Sequence, residues 1–119
     1  MRLKLFAILL VLTLLTGCAG SAFNQVKNGD NYSISASRLN TTLTTDYELS
    51  AGDTVKVSMN VKSGEFRVSI GSDGKTLYEG NGVGLSDFTV NIPEDGIYMI
   101  EVKGRNGSGS LNFSVLRGN

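Results

Sequence analysis

From Tyr32 to the end of the chain, hydrophobic and polar positions alternate in short runs separated by turn residues. Tyr32, Ile34 and Ala36 alternate with serines, and Leu39, Leu43, Tyr47 and Leu49 share one parity with threonines between them. The clearest run sets Val55, Val57, Met59 and Val61 against Lys56, Ser58, Asn60 and Lys62; beyond Ser63-Gly64, Phe66, Val68 and Ile70 oppose Glu65, Arg67 and Ser69. Side chains of a strand point alternately to its two faces, so this segment predicts a hairpin with one wet face. Further along come a turn at Gly71-Ser72-Asp73-Gly74, a short strand from Thr76 to Glu79, a glycine-rich surface connection from Gly80 to Gly84, and a strand carrying Phe88, Val90 and Ile92. Pro93-Glu94-Asp95-Gly96 predicts the next turn, since proline fixes φ and glycine takes positive φ without penalty. Ile97 to Val102 is apolar on both parities except at Glu101, which predicts a central strand with Tyr98, Ile100 and Val102 on the core face. Asn106-Gly107 reads as one more turn before a last strand carrying Leu111, Phe113 and Val115. About eight short strands at intervals of roughly 8 to 12 residues predict an all-β fold, an antiparallel β-sandwich of jelly-roll-like type.

The first residues follow a different pattern. After Arg2 and Lys4, the chain is apolar from Leu5 to Leu15 except at Thr13, well short of the roughly 20 residues of a spanning helix. Such a stretch reads as the h-region of an export signal. Its end, Leu15-Thr16-Gly17-Cys18, resembles the lipobox of bacterial lipoproteins. That resemblance implies a diacylglyceryl group on the Cys18 thiol, cleavage before Cys18, and an extracytoplasmic protein lipid-anchored to a bacterial membrane. The alternative readings are an ordinary secretory signal cut at an A-x-A-like site beyond Cys18, and a retained anchor helix. The chain then divides into residues 1–17 as signal peptide, 18–29 as a lipidated tether of small and polar residues apart from Phe23 and Val26, and 30–119 as the sandwich domain. Removing 17 of the 119 residues leaves 102, one domain's length, with nine basic and eleven acidic side chains and a formal charge of −2. Nothing in that balance attracts nucleic acid or an anionic bilayer, so membrane association rests on lipid. With the one cysteine lipidated, no disulfide forms, and the domain must stand on hydrophobic burial.

Four segments, Ala51-Gly52-Asp53-Thr54-Val55, Ser72-Asp73-Gly74-Lys75-Thr76-Leu77, Asp95-Gly96-Ile97-Tyr98-Met99-Ile100-Glu101-Val102 and Gly109-Ser110-Leu111-Asn112-Phe113-Ser114-Val115, together resemble the bacterial pre-peptidase C-terminal family of β-sandwiches. The similarity covers about Ser50 to Leu116. It implies a non-catalytic accessory module of the kind appended to secreted enzymes, with roles in substrate or surface binding or in secretion. This chain departs from the pattern in standing without a catalytic partner, and in carrying Leu111 and Phe113 where an aromatic near tyrosine is usual.

The absence of histidine removes Ser-His and Cys-His pairs, imidazole zinc sites and the commonest general base. A carboxylate pair of glycosidase type stays formally open, but Asp53, Asp73, Glu94 and Asp95 sit in turn signals where an acidic side chain caps its own backbone. No tryptophan and four tyrosines offer little for stacking sugars or bases; Tyr98 is expected inside, and Tyr32, Tyr47 and Tyr78 remain candidates for exposure. Gly80 to Gly84 lacks the helix and Lys-Ser or Lys-Thr of a phosphate loop. No organic cofactor is expected; oxygen ligands at Asn28, Asp30 and Asn31, or near Asp53 and Asp87, offer structural calcium a site without matching a defined calcium loop. The expected role is that of a non-catalytic binding or accessory module at the cell envelope, meeting an envelope protein, peptide or glycan through Tyr78, Asn81, Val83 and Ser86 around the glycine-rich connection and through the exposed polar strand faces, where threonine, serine and asparagine side chains hydrogen-bond without being needed by the core. The alternatives are a structural or assembly partner of another envelope protein and, more remotely, a carboxylate-dependent hydrolase.

Overall fold

A computed structural model of the protein describes residues 22–82 and 84–118. They form seven antiparallel strands: β1 (Ala22–Asn28), β2 (Asn31–Leu39), β3 (Thr42–Leu49), β4 (Thr54–Ser72), β5 (Lys75–Gly82), β6 (Leu85–Asn91) and β7 (Gly96–Leu116). The expected signal segment and Cys18 lie outside the described residues. β4 and β7, of 19 and 21 residues, pair along nearly their whole lengths, from Thr54 against Leu116 to Gly71 against Met99. The first half of β4 pairs also with β6 and the second with β5. The first half of β7 pairs with β3, and its second with β2, which carries β1. Two layers result, a five-stranded sheet β1-β2-β7-β4-β6 and a four-stranded sheet β3-β7-β4-β5, both crossed by the two long strands. Their inner faces make one hydrophobic core, an antiparallel β-sandwich. At one side Tyr78 of β5 closes the gap by packing on Phe88 of β6, ring centroids 4.7 Å apart. At the other, Lys27 of β1 sits 4.3 Å over the Tyr47 ring of β3 and donates to the Asp46 carbonyl at 2.6 Å.

Passing from one layer to the other requires both long strands to turn a corner, and the residues that allow it are specific. In β4 the register shifts between Val61 and Glu65, and the inward set changes from Val55, Val57, Met59 and Val61 to Phe66, Val68 and Ile70. In β7 it changes from Tyr98, Ile100 and Val102 to Leu111, Phe113 and Val115. Gly64 sits at φ +66° with its α-carbon facing the Asn106 carbonyl, where no side chain fits, and a β-carbon on Gly107 would come within 2.7 Å of the Phe66 ring. Asn40 locks the same corner from outside, its amide donating to the Asn106 side chain at 2.9 Å and its carbonyl oxygen accepting the Asn106 N–H at 2.8 Å. The hairpin expected at Ser63-Gly64 and the turn expected at Asn106-Gly107 are therefore bends inside continuous strands, so seven strands replace the expected eight or so. A glycine between two runs of opposite parity looks the same in sequence whether the chain reverses or bends.

The tether expected from 18 to 29 is also different where it is described. Ala22–Asn28 is an edge strand paired residue for residue with β2, from Ala22 against Ser37 to Asn28 against Asn31. Every residue of it is exposed, so it carries no alternating apolar signature; backbone pairing with β2, helped by Gln25 and Lys27, makes it a strand. The glycine-rich connection is shorter than expected, because β5 runs to Gly82 and the Val61 N–H donates to the Gly84 carbonyl at 2.8 Å.

Candidate functional site

The corner geometry leaves the outer face of the five-stranded sheet as an uninterrupted platform. Its register sets side chains in rows across the strands. One row runs Asn24, Ser35, Ser110, Asn60 and Leu85; the next runs Val26, Ser33, Asn112, Ser58 and Asp87; a third runs Asn28, Asn31, Ser114, Lys56 and Thr89. Neighbouring strands lie about 4.8 Å apart and same-face residues about 6.8 Å apart along each strand, so small polar groups form a grid over all five strands. The first two rows border a depression of ≈ 420 Å³. At its ends, on the two edge strands, stand Val26 and the fully solvated Leu85, 82% exposed. Serine and asparagine are short, so the ladder beneath stays approachable.

Part of the grid is already ordered. Asn112 donates to the Ser33 hydroxyl at 2.7 Å, and the Ser114 hydroxyl donates to the Asn31 side chain at 2.7 Å. Asn24, Ser35, Asn60 and Ser110 are exposed. A surface of this kind offers hydroxyl and amide groups that both donate and accept, with little net charge and no aromatic ring. The opposite sheet's outer face differs, carrying ion pairs of Arg67 with Glu79 at 3.1 Å and Arg105 with Glu65 at 3.5 Å.

Of the four turn carboxylates singled out in the sequence, Asp53 and Asp95 are tied down at the end of the sandwich away from the corners. Asp53 is 4% exposed and accepts the N–H groups of Ser50 at 2.8 Å and Gly118 at 2.9 Å, and Arg117 at 3.1 Å. Arg117 also reaches Asp30 through two nitrogens, at 2.9 and 3.3 Å, and the Glu48 carbonyl at 3.1 Å. The Gly118 N–H above all, with the Ser50 N–H and Arg117 assisting, holds the Asp53 carboxyl below its ordinary range, and Asp30 keeps Arg117 firmly cationic. This arrangement clamps the C-terminal segment to the β1–β2 turn and to the chain before β4. Asp95 likewise accepts the Ala51 N–H at 2.9 Å. Among the described residues no group of three or more Asp, Glu, Cys or His is placed to hold a metal ion.

The four contact residues read from the sequence do not come together. Asn81 is exposed on the outer face of the four-stranded sheet, opposite Arg67, beside Lys103 and Arg105. Tyr78 packs inward on Phe88, and half-buried Ser86 faces inward opposite Met59. Val83 lies outside the described residues. Tyr32 and Tyr47, candidates for exposure, are 2% and 6% exposed. Their hydroxyls explain it, Tyr32 donating to the Gln25 side chain at 2.6 Å and Tyr47 to the Gly29 carbonyl at 3.0 Å, so neither phenol is buried unpaired. Burial raises both phenol pKa values, assisted in Tyr32 by Tyr47 and in Tyr47 by Asp30. Alternation alone marks the polar strand faces, with their threonine, serine and asparagine side chains, as contact candidates; only the register shows that serine and asparagine align into one grid across five strands.

No protein-family model matches this chain, and no curated protein does. Solved structures match it in fold. PliG of Aeromonas hydrophila, a periplasmic lysozyme inhibitor of g-type lysozyme, superposes with a TM-score of 0.50 at 18% identity, covering 83% of this chain and 89% of that one. The pre-peptidase C-terminal domain of collagenase from Bacillus anthracis gives 0.47 at 14%, covering 80% and 86%. The carbohydrate-binding module CBM6cm-2 from Cellvibrio mixtus lichenase 5A, solved with cellotriose, gives 0.47 at 13%, covering 85% and 89%. At 18% identity the likeness to PliG is one of fold, a β-sandwich of similar extent.

Proposed function

We propose that this protein is a non-catalytic binding module of the bacterial cell envelope, lipid-anchored through Cys18, that holds a glycan across the outer face of its five-stranded sheet. The observation that carries this reading is the grid of serine and asparagine side chains over β1, β2, β7, β4 and β6. Protein partners are held by buried aromatic, aliphatic and arginine anchors, which the middle of this face lacks. A glycan presents hydroxyl and amide groups that such a grid can match one by one, and a chain laid across the strands meets fresh donors and acceptors at every strand spacing, about 4.8 Å. Without an aromatic platform each contact is weak, and many copies on one membrane supply the avidity. Support for a non-catalytic role comes from Asp30 and Asp53, whose carboxylates are engaged by Arg117, and from the absence of histidine.

The test is co-sedimentation of the full chain, in a nonionic detergent, with insoluble glycan isolated from the cell envelope. Asn60→Arg and Ser110→Arg, both at exposed positions in the first row, are expected to abolish sedimentation while leaving the melting temperature unchanged. Undiminished binding in both variants, or release of reducing ends that disappears in Asp87→Asn, would overturn the reading.

A further inference from the structure

The outer face of the four-stranded sheet carries a second surface of a different chemistry. Where β7 begins, Ile97 and Met99 point outward, 64% and 44% exposed, and Leu77 of β5 is 37% exposed nearby. Two adjoining depressions, ≈ 490 and ≈ 330 Å³, share Ser72, Asp73, Lys75, Thr76 and Ile97. Gly71 and Gly96 border them where the chain packs closely: a β-carbon on Gly71 would come within 2.5 Å of the Lys75 carbonyl oxygen and one on Gly96 within 3.3 Å of the Ser72 hydroxyl. The border of this apolar strip is acidic. Asp46 and Glu48 of β3 stand directly opposite Met99 and Ile97 in register, and Glu101 lies beside Met99 on β7. Asp73, Glu94 and Asp95 line the end of the groove. Lys75 lines the groove, Lys27 stands at its far border, Lys103 follows Glu101 on the same face of β7, and Arg117, already committed to Asp30 and Asp53, reaches the Glu48 carbonyl, so the six carboxylates still outnumber the cations around them. Among the described residues none of the six forms an ion pair, whereas Glu65 and Glu79 farther up the same sheet do.

We propose that this groove binds an extended peptide segment of a partner protein that alternates aliphatic with lysine or arginine side chains. Exposed isoleucine, methionine and leucine are satisfied by aliphatic side chains rather than by a sugar, and the surplus of unpaired carboxylates selects cations and repels an anionic bilayer. Side chains of an extended segment alternate between its faces, so one face settles on the apolar strip while the charges reach its acidic rim. The surface lies at the end of the sandwich opposite the corners, whereas the chain enters β1 at the corner end, beside Ser37. It is separate from the serine-asparagine face, so either surface can fail without the other.

Fluorescence anisotropy of the full chain in a nonionic detergent tests this with a labelled peptide alternating lysine and leucine, against one alternating glutamate and leucine. The lysine peptide is expected to bind and to weaken in high salt, and the glutamate peptide to stay free. Ile97→Ser, at an exposed position, and the double variant Glu48→Lys/Glu101→Lys are each expected to weaken the lysine peptide at least about tenfold with unchanged melting temperature. Binding of neither peptide, equal binding of both, or indifference to both variants would overturn the proposal.

Discussion

Asp53 shows how a single side chain can be read from sequence in kind but not in full. Its place after Ala51-Gly52 marks it as a turn-forming carboxylate, and it does accept the Ser50 N–H. Its bonds to Gly118 and Arg117 span 65 and 64 positions, and no local pattern announces them. Tyr32 and Tyr47 are legible to the same degree: period two places them on a face, but the partners of their buried hydroxyls, Gln25 and the Gly29 carbonyl, are brought near only by the β1–β2 hairpin. The Asp53 contacts have a consequence for pH. Its folded pKa lies below the unfolded value of about 3.9, so on acidification the unfolded chain takes up the proton first. The stabilisation is complete above about pH 5 and is lost as pH falls through about 4 toward the lowered folded value. Asp53→Asn is expected to lower stability at neutral pH and to flatten this acid limb in urea titrations between about pH 2 and 6. An acid limb of unchanged slope would show that Asp53 contributes nothing to it.

At the level of elements, strand positions and inward faces were legible because half-buried strands declare themselves by parity. Val55 to Val61, Tyr98 to Val102 and Leu111 to Val115 lie inward as the alternation indicates. What parity cannot convey is connectivity across a corner, or a strand with no buried face such as β1. The corner at Gly64 therefore merits a test of its own. Gly29 and Gly64 both have left-handed φ, +60° and +66°, but a β-carbon at Gly29 meets nothing within 4 Å while one at Gly64 runs into the Asn106 and Arg105 backbones. Gly29→Ala is expected to cost about 1–2 kcal/mol, the strain of that backbone conformation. Gly64→Ala is expected to cost clearly more, or to prevent folding, because β4 and β7 must part where they cross between layers. Equal costs in denaturant titrations would contradict the corner as described.

For the whole molecule, the sandwich presents two outer faces of unlike character on one rigid core. One is a neutral grid of serine and asparagine; the other is charged, with cations paired toward the corners and carboxylates around Ile97 at the far end. Charge count and composition, balanced overall at eleven basic and eleven acidic side chains, conceal that division. It arises because β4 and β7 each contribute to both sheets, so neighbouring stretches of one strand end on opposite outer faces. Two kinds of contact element are legible in the sequence, the glycine-rich connection, because loops commonly carry function, and the polar strand faces; the broad polar surface in the structure is of the second kind, a sheet face to which five strands contribute. The central claim is that this face holds a glycan. The most direct measurement is a titration of the isotopically labelled chain with soluble oligosaccharides prepared from the cell envelope, followed by amide chemical shifts. The account predicts progressive shifts confined to Ser33, Ser35, Ser58, Asn60, Ser110 and Asn112 and their neighbours on that face. Shifts centred instead on Asn81 and the corner loops, or none at saturating oligosaccharide, would contradict it.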